Sequence, residues 1–388
     1  MPRSLFSLVA LAASLILLAS PSTRAEDPPV LKPFEEKLED LHLLTPPWRS
    51  EIIHRESIIP LQFEENGPIT GRLAFEAVEI LAVRSADGKQ QLKLGADIRL
   101  SDDRRTLIFT PAENLPLIKQ SEFYPAPDSP NSYRHRLGHP EQWLLYSQGH
   151  WWHDHQFEVT YRRADASWSG PIPQLADQKL PKTFARLRAK QPLSLGVSGD
   201  SITFGLNASG VTGASPYMPA YPDLVARQLE ASYGSTVKVE NRAIPGWSIT
   251  HGINDLENLL KAEPHLMIVA YGMNDVGRRD PDWFREQYRT FLDKLRQLSP
   301  DTEVILVTTM IGNREWIHTP REMFDKYREI LLQFEAPGIA VADVTSVWAV
   351  MLQHKHDYDL TGNGLNHPND CGFRLYAQTI LSLLIPQK

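Results

Sequence analysis

A small polar cluster, Gly199-Asp200-Ser201, ends an apolar run that is suited to a buried strand. A serine hydroxyl is a weak nucleophile unless a base takes its proton, and the tetrahedral intermediate that it forms needs donors aimed at the oxyanion. Among the 13 histidines, His367 lies on a short loop rich in Gly, Asn and Pro, which could return to the mouth of a cleft. Ser201 and His367 are therefore a candidate nucleophile and its general base.

Two further segments offer donors for an oxyanion. Gly246 follows a proline at a turn, and its N–H could point into a cleft because no side chain blocks it. A plain turn glycine is the alternative. Asn274, in the segment GMND, could donate its amide without adding a charge, or it could merely cap the following turn.

Ser248 is a rival nucleophile, because Gly246 to Thr250 repeats the spelling of Gly199 to Thr203 with one change. It follows a Pro-Gly turn and precedes a helical segment, a placement that favours an N-cap hydrogen bond. Neither serine occurs in G-x-S-x-G, so the nucleophile elbow of α/β-hydrolases is not indicated. We expect Ser201 to be the nucleophile.

Residues 192–388 must position these groups. Short apolar runs alternate there with longer segments of helical period. The apolar runs are LSLGVSG, TVKVENRA, HLMIVAYG, EVILVTTM and GIAVADV. In one helical segment, the apolar residues at steps of four and three are Phe284, Tyr288, Phe291, Leu295 and Leu298. Strands that are apolar on both faces predict a three-layer α/β/α domain with a parallel sheet, whose ligands bind at the carboxyl ends of the strands.

The preceding residues have a different pattern. Residues 26–164 contain short runs with near period-two alternation and turn signals such as Ala86-Asp87-Gly88, which predict a β-sandwich-like domain. Residues 165–191, rich in Pro, Ser and Gly, predict an interdomain linker. Two domains fit a length of 388 residues, and the overall class is α/β.

Residues 1–25 are typical of a secretory signal peptide, with one arginine, an apolar stretch from Leu5 to Leu18 and a small-residue cleavage site. The stretch is shorter than the ~20 residues that cross a bilayer, so no membrane span is expected. The sequence predicts export to the periplasm or the extracellular space. Cys371 is the single cysteine, so no disulfide can form within the chain.

Composition and short motifs argue against some partners. With 40 Lys+Arg against 47 Asp+Glu, the net charge is -7, and no basic stripe indicates a nucleic-acid partner.

If residues 150–155 form a strand, His153 and His155 share a face compatible with a metal. A strand entry with packed tryptophans is the favoured interpretation, and no metal is expected. Asn207-Ala208-Ser209 matches a glycosylation sequon, a pattern that often arises by chance.

Four segments together resemble the SGNH (GDSL-type) hydrolase family, in the family's order: Ser201 in GDSIT, Gly246 in NRAIPG, Asn274 in GMND and His367 in NHPND. The resemblance covers residues 192–388. It implies that Ser201 is the nucleophile and His367 its base, and that Ser201, Gly246 and Asn274 form the oxyanion hole. No metal or organic cofactor is implied.

The chain departs from this family at one position. The family usually places an aspartate three residues before the histidine, to orient the imidazole. Here that residue is Gly364. The groups that could orient His367 instead are Asp357, Asp359, Asp370 or a backbone carbonyl, the last of which would leave a Ser-His dyad.

The resemblance also bears on the substrate. The family's shallow site and the adaptable loop from Gly205 to Tyr221 suggest a small acyl group on a larger polar carrier. Tyr217, Trp247 and Trp316 could stack on a sugar ring, with core burial as the alternative. A sandwich-like domain ahead of an SGNH domain is similar to two-domain bacterial carbohydrate esterases that remove acetyl groups.

We therefore expect an exported serine esterase for short acyl esters, chiefly acetyl, on an acylated small molecule or polysaccharide. An O-acetyltransferase acting on a glycan is one alternative, because a sugar hydroxyl could resolve the same acyl-enzyme. A catalytically inactive carbohydrate-binding protein is the other.

Overall fold

The computed structural model describes residues 32–139 and 141–386. The described residues form one compact unit. The proposed signal peptide, residues 1–25, lies outside the described residues. The boundaries proposed at residues 164 and 192 stay predictions, although the proposed linker contains a helix (Pro181–Arg188) whose Phe184 and Leu187 enter the main core.

The N-terminal part of the described chain is built of short strands. They are β1 (Ile52–Ile58), β2 (Leu61–Gln62), β3 (Ile69–Arg72), β4 (Ala77–Ser85), β5 (Ile98–Leu100), β6 (Thr106–Phe109), β7 (Ile118–Lys119), β8 (Ser132–Tyr133), β9 (Leu144–Leu145) and β10 (Phe157–Arg163). One antiparallel sheet has the order β1-β10-β4, and another has the order β5-β6-β3-β2-β7, in which β2 and β7 run parallel. Strands β8 and β9 form a separate antiparallel pair. Ile58 of β1, Val83 of β4 and Leu107 of β6 belong to one buried cluster, so side chains of the two larger sheets share a core.

Residues 150–155 are not a strand, and that prediction is wrong. Trp151–Asp154 form a single helical turn, α1, so His153 and His155 do not share a strand face. Each imidazole has its own partner: His150 bonds Asp154, His153 bonds the carbonyl oxygen of Ser215, and His155 bonds that of Trp151. In the described residues, no group of three or more His, Cys, Asp or Glu side chains is placed to hold a metal ion.

A parallel sheet forms the centre of the C-terminal part. Its strands are β11 (Leu193–Gly199), β12 (Val237–Asn241), β13 (Leu266–Ala270), β14 (Glu303–Val307) and β15 (Ile339–Ala342). The order is β12-β11-β13-β14-β15, and every pairing is parallel. All residues of β13 and β14 are buried, as expected for strands covered on both faces. The predicted mixed α/β class, with antiparallel sheets ahead of a parallel one, is confirmed.

Helices cover this sheet. They are α2 (Pro181–Arg188), α3 (Ser201–Phe204), α4 (Ser209–Thr212), α5 (Tyr221–Tyr233), α6 (Ile249–Leu260), α7 (Pro281–Leu298), α8 (Arg321–Leu332), α9 (Val344–Met351) and α10 (Asp370–Leu384). Single 3₁₀ turns occur at Leu38–Leu41, Gln120–Glu122, Val276–Arg278 and Asp357–Leu360. Helix α5 packs against α10, while α6, α7 and α8 pack in series. No helix in the described ranges has both the length and the apolarity that a membrane crossing requires.

A buried ion pair joins the antiparallel part to the C-terminal part. Lys355 Nζ lies 2.7 Å from Glu56 Oε1 and 2.6 Å from the carbonyl oxygen of Arg72, and both charged side chains are fully buried. The hydroxyl of Tyr161 donates to the other carboxylate oxygen of Glu56 at 2.6 Å. Since a buried charge without a partner is costly, these contacts hold the sheet β1-β10-β4 close to the segment before His367.

Candidate active site

The site forms where the order of the parallel sheet reverses. Strand β11 lies between β12 and β13, so the chain leaves β11 toward one side and later returns to the other. Ser201 begins α3, and only Asp200 separates it from the end of β11. Asp200 caps this helix, because its Oδ1 accepts from the N–H of Ile202 at 2.9 Å. The nucleophile candidate therefore lies at the carboxyl end of the sheet, at the switch point where such folds bind ligands.

Ser201 and His367 are in contact, although 166 residues separate them. The distance from Ser201 Oγ to His367 Nε2 is 3.0 Å. Only 4% of the serine and 9% of the histidine are exposed. This distance is within the hydrogen-bond reach that a base needs to take a hydroxyl proton.

The loop before α10 holds His367 through its backbone. The side-chain oxygen of Asn363 accepts three successive backbone N–H groups, those of Leu365, Asn366 and His367, at 2.9 to 3.2 Å. The N–H of Gly362 donates to the carbonyl oxygen of His367 at 2.9 Å. Asn369 caps α10 by accepting from the N–H of Gly372. The loop is thus fixed at both ends.

The second ring nitrogen of His367 meets an asparagine. His367 Nδ1 lies 2.8 Å from Asn207 Oδ1, and both side chains are buried. The expected aspartates bind other groups: Asp357 pairs with Arg314 at 2.8 Å, Asp359 accepts from the N–H of His356 at 2.9 Å, and Asp370 accepts from the N–H of Ser209 at 2.9 Å. The position expected for an aspartate or a backbone carbonyl is thus held by a side-chain amide.

Burial sets the protonation of the groups around the serine. Burial lowers the pKa of His367 to about 4, because the charged ring would lose its hydration. The imidazole is therefore neutral, and able to accept a proton, above this pH. Burial also raises the pKa of Asp200 to about 7 and that of Asp275 to about 7.

The loops after β12 and β13 are pinned to each other beside β11. The N–H of Ile244 donates to the carbonyl oxygen of Gly199 at 3.2 Å, which holds the first loop to the end of β11. Asn274 Nδ2 donates to the carbonyl oxygen of Trp247 at 2.8 Å, which joins the second loop to the first. The predicted donors on Gly246 and Asn274 thus come to the same end of the sheet as Ser201.

Gly246 and Asn274 are both open to solvent in this arrangement. The φ of Gly246 is 84°, and a side chain there would point into open space. This left-handed backbone, rather than crowding, explains the glycine. A side-chain amide carries two N–H bonds, so Asn274 can keep its contact with Trp247 and still donate a second hydrogen bond.

Ser248 is the N-cap of α6, as predicted, but it also contacts a histidine. Its Oγ lies 3.0 Å from His251 Nδ1, and its own N–H donates to the same nitrogen at 3.1 Å. The single lone pair of that nitrogen is shared with the backbone, and His251 is exposed. The pair therefore caps a helix locally, whereas Ser201 and His367 join two distant parts of the chain.

The three aromatic residues predicted to bind substrate lie in different surroundings. Trp247 is half-buried, stacks on His251 and is linked through its carbonyl to Asn274. The hydroxyl of Tyr217 accepts from Lys32 Nζ at 2.9 Å. Trp316 packs edge-on against Tyr133 and His318. Trp247 therefore adjoins the oxyanion candidates, and the described contacts of the other two run to other segments.

Sequence reasoning missed Asn207 as part of the site. Its only visible signal was the sequon Asn207-Ala208-Ser209, which points to the surface. In the structure 8% of Asn207 is exposed, and its Nδ2 donates to the carbonyl oxygen of Gly149 at 3.0 Å. The amide of Asn207 is therefore buried and hydrogen-bonded in the folded protein, and a glycan could not be attached to it without displacing the neighbouring residues.

Residues 197–375 match the GDSL-like Lipase/Acylhydrolase family. The match includes Ser201, Gly246, Asn274 and His367. This segment is a GDSL-like acylhydrolase domain. The predicted SGNH (GDSL-type) family is confirmed for the acylhydrolase domain, and the antiparallel sheets precede it. No curated protein matches the chain.

Several solved structures are similar to this chain. A two-domain esterase (CEX) active on acetylated mannans, co-crystallised with mannopentaose, is 21% identical with a TM-score of 0.44, and the match covers 55% of each chain. A catalytic mutant of an acetylxylan esterase from Geobacillus stearothermophilus is 20% identical with a TM-score of 0.39 over 49% of this chain and 92% of that one. A lipase from a goat rumen metagenome is 16% identical with a TM-score of 0.40, over 49% and 96%.

Proposed function

We propose that the chain is an exported serine esterase that hydrolyses short acyl esters, chiefly acetyl, on a carbohydrate. The observation that carries this proposal is the 3.0 Å contact between Ser201 Oγ and His367 Nε2 inside an acylhydrolase domain. Export rests on the signal-type sequence of residues 1–25.

In the proposed reaction, Ser201 Oγ attacks the ester carbonyl while His367 Nε2 takes the hydroxyl proton. The oxyanion accepts hydrogen bonds from the backbone N–H groups of Ser201 and Gly246 and from Asn274 Nδ2. When the intermediate collapses, the bond to the alcohol breaks and His367 returns the proton to the leaving alcohol oxygen. Water then attacks the acyl-serine with His367 again as base, which releases the acid and restores Ser201.

Burial of the nucleophile favours a small acyl group. Only 4% of Ser201 is exposed, so a long acyl chain would have to displace packed residues on its way to the hydroxyl. Trp247 beside the oxyanion donors offers a face for a sugar ring at the rim. Two of the similar structures are an esterase active on acetylated mannans and an acetylxylan esterase, so both polymers are used as probes.

The proposal predicts acetate release from acetylated polymers by the purified full-length protein. Acetylated mannan, acetylated xylan and p-nitrophenyl esters of increasing acyl length would be compared, with free acid as the readout. We expect rates to fall as the acyl chain lengthens. A glycan acceptor in a parallel reaction separates hydrolysis, which gives free acetate, from transfer, which gives newly acetylated glycan. Failure of all these esters together with failure of a fluorophosphonate to label Ser201 would overturn the proposal.

Asn274→Ala is expected to lower kcat by about 10²- to 10³-fold, because it removes one oxyanion donor. KM should change little, since the lost hydrogen bond strengthens only as charge develops on the oxygen. Asn258→Ala is a suitable control, because Asn258 is exposed on α6 and bonds Asp255 away from the site. Initial rates on p-nitrophenyl acetate check this, and equal kcat for Asn274→Ala and the parent would remove Asn274 from the oxyanion hole.

A further inference from the structure

The amide of Asn207 has its orientation fixed by two contacts. Its Nδ2 donates to the carbonyl oxygen of Gly149 at 3.0 Å, and a carbonyl oxygen can only accept. Its Oδ1 must therefore face His367 Nδ1, 2.8 Å away, and an amide oxygen also only accepts. It follows that Nδ1 carries the ring proton, which leaves the lone pair of Nε2 directed at Ser201.

The place where an aspartate would be expected is occupied by other residues. Gly364 has a φ of 85°, a backbone conformation that most side chains avoid. A Cβ at this position would lie 2.6 Å from the carbonyl oxygen of Leu145 and closer still to the ring of Trp152. Both neighbours belong to the part of the chain that precedes the acylhydrolase domain. An acid at residue 364 is therefore excluded by packing.

We propose that Asn207 is the positioning residue of this site, so that Ser201, His367 and Asn207 act as a triad whose third member is a neutral amide. The inference rests on the proposed function for its catalytic consequence. Asn207 lies in the loop after α3, close to Ser201 in sequence, and contacts His367 from there. It takes the orienting role that an aspartate at residue 364 would otherwise have. Because Gly149 fixes the amide, the antiparallel part of the chain contributes to the orientation of the base.

A neutral third member differs from a carboxylate in its electrostatics. A carboxylate within hydrogen-bond reach favours the charged imidazolium, whereas an amide oxygen orients the ring without adding a charge. Burial of His367 is the cause of its low pKa of about 4. Other titratable groups on the segments that meet here are Asp200 beside the serine, Asp370 at the start of α10 and His153 of α1.

Two substitutions at Asn207 separate positioning from folding. The φ of Asn207 is 72°, so Asn207→Gly removes the amide without straining the backbone. We expect this variant to lose about 10- to 10³-fold in kcat with a smaller change in KM, because the base is no longer held in one tautomer. Asn207→Asp keeps an acceptor for Nδ1–H but loses the bond to the carbonyl oxygen of Gly149, so it should recover part of the loss. Asn131→Gly is the matched control, since Asn131 has a φ of 56° and is exposed.

The pH profile distinguishes an orienting role from a structural one. The parent should lose kcat/KM on the acid side with a midpoint near pH 4, the pKa of the buried base. In Asn207→Asp the new carboxylate favours the protonated ring, so the midpoint should move upward by about 1 to 3 pH units. Near-ultraviolet circular dichroism at each pH shows whether the fold persists. An unchanged midpoint in Asn207→Asp, or a parental kcat in Asn207→Gly, would overturn the proposal.

A third readout does not depend on activity. Nitrogen NMR of isotope-labelled histidine in the full-length protein identifies which ring nitrogen of His367 carries the proton. We expect the neutral Nδ1–H tautomer in the parent and a mixture of tautomers in Asn207→Gly. An Nε2–H tautomer in the parent would contradict the role of Asn207, whether or not the protein hydrolyses any of the esters. The expected tautomer with no esterase activity would refute the proposed function alone.

Discussion

Ser201→Ala should lower kcat by about 10⁴- to 10⁶-fold, the loss typical of removing a serine nucleophile. The substitution removes one oxygen atom from a buried position, so the fold should be retained and the melting temperature should change little. Labelling by a fluorophosphonate should disappear in this variant, because no activated hydroxyl remains to form the phosphonyl ester. Acetate release and labelling of the intact protein are the two measurements.

Ser248→Ala is the matched control for this substitution. Ser248 has almost the same sequence neighbours as Ser201 and a histidine contact of the same length, 3.0 Å. Because it caps α6, its removal should cost about 1 kcal/mol of stability while activity stays near that of the parent. The reverse outcome, an inactive Ser248→Ala and an active Ser201→Ala, would identify Ser248 as the nucleophile, with His251 as its base, and refute our assignment.

His367→Ala is expected to cause a loss of about the same size, about 10⁴- to 10⁶-fold in kcat. Without the imidazole, the proton of Ser201 has no acceptor at hydrogen-bond distance, and the hydroxyl returns to its ordinary low reactivity. Steady-state rates on p-nitrophenyl acetate measure this loss. His265→Ala is the control, because His265 also binds a serine, accepting from the N–H of Ser194 at 2.9 Å, but lies at the amino ends of β11 and β13, opposite the site.

The double variant Ser201→Ala/His367→Ala tests whether the two residues act as a unit. Groups that cooperate in one step are non-additive, so the double variant should be no slower than either single variant. Multiplicative losses would show that the two side chains act independently, and the 3.0 Å contact would then have no catalytic meaning.

The sequence was most informative where hydrophobic periodicity has a single physical explanation. The apolar runs that predict the parallel sheet correspond to β11 to β15. A strand buried on both faces, such as β13, is apolar throughout, whereas the edge strand β12 has exposed polar positions. In α7, the predicted face includes Phe284, Tyr288 and Phe291, which are all fully buried. Leu298 is the exception at 50% exposure, because it is the last residue of α7 and lies beyond the reach of the core.

Local sequence failed where a short segment depends on distant contacts. Residues 150–155 satisfy the pattern of a strand, but Trp152 is buried against Tyr358, and the chain turns helically to bring it there. The parallel pairing of β2 with β7 likewise joins segments that are more than 50 residues apart in sequence, a contact that no local pattern encodes.

In the candidate site, too, some residues could be predicted from local sequence, whereas one depends on contacts between distant segments. Strand ends and turn residues were enough to propose Ser201, Gly246, Asn274 and His367 as site residues. Asn207 could not be found in this way, because its role depends on Gly149 and on the packing of Trp152 against Gly364. A neutral asparagine carries no sequence signal that separates an orienting amide from an ordinary loop residue.

The ion pair between Lys355 and Glu56 limits how this protein can be divided. A fragment trimmed to the acylhydrolase domain would lose both Glu56 and Arg72, whose oxygen atoms bind the buried ammonium group of Lys355, and would expose the surface around it. The antiparallel half is thus an internal scaffold for the acylhydrolase domain.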